Sequence, residues 1–305
     1  MYSTESDSVG VNPNYRNIML KYKADIRTVI YMIATTSVLI IQWNLESFNI
    51  FLFLLSLYLA VATAVIAHNH NHVGMWKTKF MNSLTDYWLT IFYGFPAFGW
   101  IPTHNKNHHK LNNKEGDYTI TYRYSEKNNL LTLLTYPPIS SYFQQTPIYA
   151  YLRELWHTNR TDFFLYISQY FVLGGYIIAM LLLDWQKALL YVIVPHQVAL
   201  YFIMIFNYVQ HVHADEQSEY NHSRNFLGLT NQFLFNNGYH TIHHQRASIH
   251  WSETPAAHRK IEHLIDPSLN ESGFWSFMFR NYIIGIVMPS KKTHSMRLDR
   301  MAKQS

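Results

Sequence analysis

Residues 48–72 read FNIFLFLLSLYLAVATAVIAHNHNH. From Phe48 to Ala67 the run holds no Asp, Glu, Lys or Arg. A helix of roughly 17 to 25 such residues is long enough to cross the apolar layer of a bilayer. The run ends on His68, His70 and His72, so imidazoles gather where the chain leaves the membrane. If the helix continues, His68 and His72 lie one turn apart on a shared face, while His70 points to the opposite side. The outer pair is therefore the candidate for a common metal.

Working outward, three further charge-free runs have the same character: Thr28 to Leu45, Phe163 to Leu183 and Ala188 to Phe206. Short linkers join the four into two transmembrane hairpins of antiparallel neighbours. Residues 1–25 form a polar tail with no apolar core of the kind a signal peptide carries, so insertion relies on the internal spans. Positive charge stands before the first span (Arg16, Lys21, Lys23, Arg27), between the hairpins and after the last span. The hairpin tips carry only Lys187. That asymmetry predicts cytoplasmic termini and a cytoplasmic central segment, and it brings every histidine cluster to one side. Tyr87 to Ile101, interrupted by Gly94, Pro96 and Gly99, reads as a re-entrant or interfacial element, and so does Phe274 to Met288, broken by Arg280. The expected fold is an all-α integral membrane protein of four spans in two hairpins. A cytosolic helical cap carries the histidines, and residues 1–305 form a single domain.

The second cluster is His104-Asn105-Lys106-Asn107-His108-His109, where His104 and His108 have helical spacing and His109 reaches a neighbouring site. The third is His240-Thr241-Ile242-His243-His244, three rings along one helical stripe, whose adjacent members can serve two metals. Asn207-Tyr208-Val209-Gln210-His211 adds one more imidazole at the end of the fourth span, with an amide one turn earlier that can hold a metal-bound water. Any one such pair is as readily a solvated helix face. Three dense clusters and a fourth histidine at membrane ends on one side point to metal.

Imidazole suits zinc, copper, iron and nickel alike. A zinc site takes three or four protein ligands, whereas these clusters offer enough for two ions. The HExxH signature is missing, and the clusters hold no carboxylate to act as the general base of a zinc hydrolase, which favours redox chemistry on iron. The chain has 18 His and 0 Cys, so disulfides, thiolate haem ligation and iron–sulfur clusters are excluded. A net charge of +5 is scattered without a basic block, which gives no nucleic-acid partner and suits an anionic membrane surface.

The set HxxxH, HxxxHH, NxxxH and HxxHH with this hairpin spacing resembles the membrane fatty acid desaturase and hydroxylase superfamily over roughly residues 50 to 265. The likeness extends to Asn113-Lys114-Glu115-Gly116-Asp117 after the second box and to Gly238-Tyr239 before the last. Carried over by position, it implies metal ligands at His68, His72, His104, His108, His109, His211, His240, His243 and His244. Asn207 would make a contact through water. It also implies two Fe2+ ions, O2 as co-substrate, and oxidation of a long fatty acyl chain, with desaturation the leading reaction. Hydroxylation of a lipid or alkane, or oxidative decarboxylation to a terminal alkene, would use the same ligands.

His213, Asp215 and His222 are candidates for orienting the ligands from behind, with surface placement as the alternative. His196, inside the fourth span, reads as a hydrogen-bonded packing residue, with a functional intramembrane role as the alternative; His250, His258 and His263 have no reading beyond a polar face. The acyl chain would run through an apolar tunnel, its headgroup at the cytoplasmic surface. Trp88, Phe92, Tyr93 and Trp100 either line that tunnel or anchor the interface. With no haem domain, GxGxxG or cysteine, electrons must come from a separate donor. An acidic ferredoxin or a small haem protein, each with its reductase, would dock on Lys106, Lys110, Lys114 and Arg246. A divalent-metal transporter is the reading from another class, but it needs polar ligands within the spans, where only His196 is available.

Overall fold

The computed structural model describes residues 19–305, so Arg16 and most of the polar tail lie outside the described residues. Four helices are long and apolar enough to cross a membrane: α1 Asp25–Asn44, α2 Ile50–His72, α5 Arg160–Leu183 and α6 Trp185–His211. They overrun the charge-free stretches because backbone hydrogen bonding continues into turns that lipid would not favour. Helix α2 starts late, where the Asn49 side chain accepts from the amides of Phe51 and Leu52, and it continues to His72. Helix α6 is capped by Asp184, winds through one wide turn at Leu189–Ile193, and reaches His211. The first histidine box and His211 are thus the final turns of two long helices.

Helix α2 packs against both α1 and α6. Its buried face is built from Ala60, Ala62, Thr63, Ala64 and Ala67, small side chains that let helix backbones approach closely where no water drives association. Helices α1 and α5 leave Ile30, Ile33, Ile40, Phe171, Ile178 and Leu182 exposed, as expected of lipid-facing surface. The ammonium of Lys187 donates to the carbonyls of Trp43 at 2.6 Å and Leu45 at 3.4 Å. This ties the α5–α6 turn to the end of α1 and satisfies carbonyls the helix terminus leaves open.

Between the two pairs, α3 (Lys79–Tyr93) is followed by a sharp reversal at Gly94. Gly94 has φ +82°, and a Cβ there would lie 2.4 Å from the ring of His196, so only glycine fits. His196 donates from Nε2 to the carbonyl of Ile91 at 2.7 Å, a packing bond. The chain then returns past Phe98, whose amide donates to Gln169 of α5 at 3.1 Å, into a π-wound helix, Ile101–His108. Helix α4, Leu130–Thr158, follows; its 29 residues include Pro137, Pro138 and Pro147, and Asn129 and Thr132 form a capping box at its start. It packs on α6 and on the π-wound helix.

The described chain after α6 is built of short elements. Helix α7 (His240–Gln245) carries the last box, and a two-residue parallel pairing, β1 Asn225–Phe226 with β2 Asn270–Glu271, braces the segment before it. Phe274–Phe279 and the turns after it leave Trp275, Phe279, Ile283 and Ile286 exposed, an apolar surface compatible with the interfacial expectation. At the other end of the chain, Asp25 in the first turn of α1 accepts from Trp251 Nε1 at 3.1 Å and pairs with His250 Nε2 at 3.2 Å. Tyr22 stacks on the His250 ring at 3.9 Å. This clamp accounts for His250, which the sequence left unexplained.

Candidate metal centre

Nine imidazoles gather where α2, the π-wound helix, α6 and α7 meet. They fall into two sets: His68, His72, His104, His109 and His243, and His108, His211, His240 and His244. Within each set the ligand atoms lie within 4.8 Å of one another. His68 and His72 occupy one face of α2, and His70 is turned away, with Nδ1 accepting from the amide of Met75 at 3.3 Å.

The second box differs from the α-helical expectation. His104 shares a set with His109, and His108 belongs to the other. The reason is the wide winding of Ile101–His108, in which the amide of His109 bonds the carbonyl of His104 five residues back. One turn of this helix therefore delivers rings to both sets. Helix α7 also serves both, with His243 in one set and His240 and His244, one turn apart, in the other. Gly238 makes that helix start possible: a Cβ there would stand 2.1 Å from the carbonyl oxygen of Phe226.

In the first set, Nε2 of His68 lies 2.8 Å from that of His104 and 3.0 Å from that of His243, and Nε2 of His109 lies 3.0 Å from each of the same two. In the second set, the corresponding separations are 3.1 Å for His108–His211, 2.8 Å for His211–His240 and 3.1 Å for His240–His244. Neighbouring ligands at right angles with such edges share a centre about 2.1 Å away, an ordinary metal–imidazole bond length. The Nδ1 atoms of His68, His109, His240 and His244 and Nε2 of His72 are buried without a hydrogen-bond partner.

Burial, and then the crowding of neighbouring imidazoles, holds His104, His240, His243 and His244 well below the usual histidine range. The same causes push His109 down to about 2. These rings are neutral, with lone pairs available, which is the state a metal requires. The donor set fits a pair of cations: it is all imidazole, sufficient for two ions, and brings no anionic ligand.

Asp117 fixes one ring from behind. Its Oδ2 lies 2.8 Å from Nδ1 of His108 and accepts from the amide of Asn113 at 2.8 Å, while Oδ1 accepts from the amide and hydroxyl of Thr119, both at 2.7 Å. Burial alone would raise this carboxyl, but the adjoining His108 ring and the Thr119 donors outweigh it and hold it well below the usual carboxylate range. His211 Nδ1 is held by the carbonyl of His222 at 3.3 Å. Fixing Nδ1 in this way aims Nε2 at the centre.

Of the three candidate orienters, His222 thus acts through its backbone. His213 and Asp215 do not reach the ligands. His213 bonds Thr293 and the carbonyl of Glu126, and Asp215 accepts from Arg300 of the C-terminal helix α8 (Met296–Gln304) at 2.7 Å. They fasten the C-terminus because the chain turns away after His211, with His213 at φ 64°. Asp117 was the missed residue; its signal lay in the stretch Asn113 to Asp117, whose turn folds it back under the second box.

Asn207 donates to the Tyr136 hydroxyl at 2.6 Å and, with His104 and His240, lines a small chamber of about 40 Å³ beside both sets. Trp100, Thr103, Gln144, Ile203 and Met204 line this chamber and also a larger cavity of about 400 Å³ between α4 and α6. Tyr93 and Trp100 face that cavity. Trp88 and Phe92 do not: Trp88 bonds Thr36 of α1 and stacks on Phe92. Lys106, Lys110, Lys114 and Arg246 are exposed around the histidines.

Four apolar helices, two of which end in histidines, together with the histidines of the π-wound helix and α7 define a multi-histidine membrane protein with a metal centre's donor geometry. The model for the fatty acid desaturase family matches residues 47–277, more than half of the chain, and the chain belongs to that family. Comparison with curated proteins gave no match, and comparison with solved structures gave none.

Proposed function

We propose that this protein is an O2-dependent di-iron oxidase of a long fatty acyl chain, and that its reaction is desaturation. Membership of the family supports oxidation of a lipid chain in general. The observation that carries the finer reading is that a cavity of about 400 Å³ shares Trp100, Thr103, Gln144, Ile203 and Met204 with a chamber bordered by rings of both histidine sets. In this reading the helices form two membrane hairpins with the termini and all boxes on the cytoplasmic side. His68, His72, His104, His109 and His243 would hold one iron, and His108, His211, His240 and His244 the other, with Asn207 positioning a water.

When bound, the irons would supply the four-electron reduction of O2 to water, two electrons coming from the substrate's C–H bonds and two from the donor. The chain's residues do the rest. Neutral rings leave the cations' charge uncompensated, so anionic oxygen ligands are favoured at the centre. Asp117 and the His222 carbonyl keep Nδ1 of His108 and His211 occupied, so that Nε2 faces inward. Trp100, Ile203 and Met204 make a dry passage that positions a chain segment beside the histidines. A ferredoxin or small haem protein would deliver electrons across the basic rim.

The test is direct: purified protein is assayed for iron per chain and for the product formed from acyl substrates with a reducing system and oxygen. Two irons and a new double bond are expected. A single zinc, or a hydroxylated or decarboxylated product, refutes the respective part of the proposal.

A further inference from the structure

The larger cavity has an unusual lining. None of the residues lining it is Asp, Glu, Lys, Arg or His, yet it contains Ser141, Gln144, Gln145 and Gln197. Gln197 lies near the midpoint of α6, a 27-residue helix fit to span a membrane, and its side chain is exposed. A polar side chain at that depth is costly and calls for a partner. Among the described residues its amide has none.

The neighbouring polar groups divide into those already engaged and those free. Gln144 donates to Ser140 and Met204, and the Tyr201 hydroxyl donates to the carbonyl of Leu134 at 2.6 Å. Gln145 spends one N–H on the carbonyl of Ser141 at 3.2 Å, which leaves its oxygen and second N–H open. Ser141 and Gln145 are both exposed, like Gln197. Three uncharged side chains lining one cavity thus keep hydrogen-bonding atoms open, with no Lys, Arg or His in the lining to neutralise a carboxylate or phosphate.

Resting on the reading of this cavity as the acyl passage, we propose that Gln145, Gln197 and Ser141 form an uncharged subsite. It would hold the neutral polar group, an ester, amide or hydroxyl, of a lipid chain that enters from the bilayer. This replaces the expectation of a headgroup at the cytoplasmic surface. It also sets a ruler. Ten residues of helix separate Gln197 from Asn207 at the histidine chamber, about 15 Å along α6. An extended chain advances about 1.2 Å per bond, so the carbon presented to the histidines lies about twelve bonds from the polar group.

The full-length protein in lipid nanodiscs is irradiated with alkyl chains bearing a diazirine about twelve bonds from a methyl ester, primary amide or free carboxylate cap. Labelled residues are read by mass spectrometry, which needs no turnover. The ester and amide probes are expected to label Trp100 or Met204, and the carboxylate at least about tenfold less. The double variant Gln145→Leu, Gln197→Leu should cut ester and amide labelling about tenfold, while an uncapped alkyl probe labels both proteins equally. The single variants, each at an exposed position, answer the question if the double variant does not fold. Equal labelling by the carboxylate, undiminished labelling of the variants, or no labelling of either lining residue overturns the subsite. Correct labelling without oxidation of the same chains would count against the catalytic reading alone.

Discussion

Replacing Asp117 by Asn keeps the shape of the side chain and removes its charge, and the structure indicates what that should do. In the native protein both carboxylate oxygens accept: Oδ1 from two donors of Thr119, and Oδ2 from Asn113 and, facing it at 2.8 Å, the Nδ1–H of His108. An Asn amide can place its oxygen toward only one of these pairs. With the oxygen toward Thr119, the NH2 group faces Nδ1 of His108 and favours the tautomer in which that atom is bare. Nδ1–H then keeps only the Thr119 hydroxyl, 2.8 Å away, as an acceptor, so the tautomer with its proton on Nε2, the atom pointing at His211, gains weight and competes with a metal. Losing an outer partner of this kind typically weakens metal binding by about 10- to 100-fold, equivalent to about 1.4 to 2.7 kcal/mol. Anaerobic titration of metal-free protein with Fe2+ against a competing chelator measures the loss, and elemental analysis reports iron per chain. Oxidation of the acyl substrate should fall in step. Wild-type affinity with wild-type iron content in Asp117→Asn would refute the assignment of this carboxylate as the group that sets the His108 tautomer.

Other expectations follow from the same geometry. His243→Ala and His244→Ala remove rings from different sets, so each variant should bind less iron and lose turnover; full activity in either, measured with the same assay, removes that ring from the ligand list. In metal-free protein, His104, His109, His240, His243 and His244 resist protonation when folded but take up protons below their ordinary value of 6.5 when unfolded. The unfolded state therefore binds more protons, and stability should fall as the pH drops below 6.5, with a slope approaching about 1.4 kcal/mol per pH unit for each ring. Thermal unfolding across that window checks the sign. Gly238→Ala forces a methyl against the Phe226 carbonyl, so the last box should shift and iron content drop; an unperturbed melting temperature and iron content would contradict it. Charge reversal at Lys110, Lys114 and Arg246 should slow reduction by an acidic donor by about tenfold or more at low salt, and by less at high salt, in stopped-flow measurements.

The four long apolar helices were legible in the sequence because lipid demands long charge-free runs, and the reversal after α3 because Gly94 and Pro96 interrupt one. Helix ends were less legible, since hydropathy marks where a helix meets lipid and not where its hydrogen bonding stops. Helix α4 left no such mark: its polar residues break the apolar run, and its three prolines read as breakers, although tertiary packing on α6 holds it together. At the site, the nine histidines and their placement at helix ends were visible as motifs. Their partition was not, because the wide winding of Ile101–His108 leaves no trace in residue spacing. His213 and Asp215 looked like neighbours of His211 by position, and a left-handed residue at His213 carried them away.

The clamp between Asp25 and His250 joins positions 225 residues apart. A chain emerging from the ribosome completes its first apolar helix long before the partner of that helix's opening turn has been synthesised. Nascent chains that stop short of residue 250 thus lack the contact that ties the opening turn of α1 to the segment after the last histidine box. A tag or truncation at the amino end would then act on that late contact as much as on anchoring.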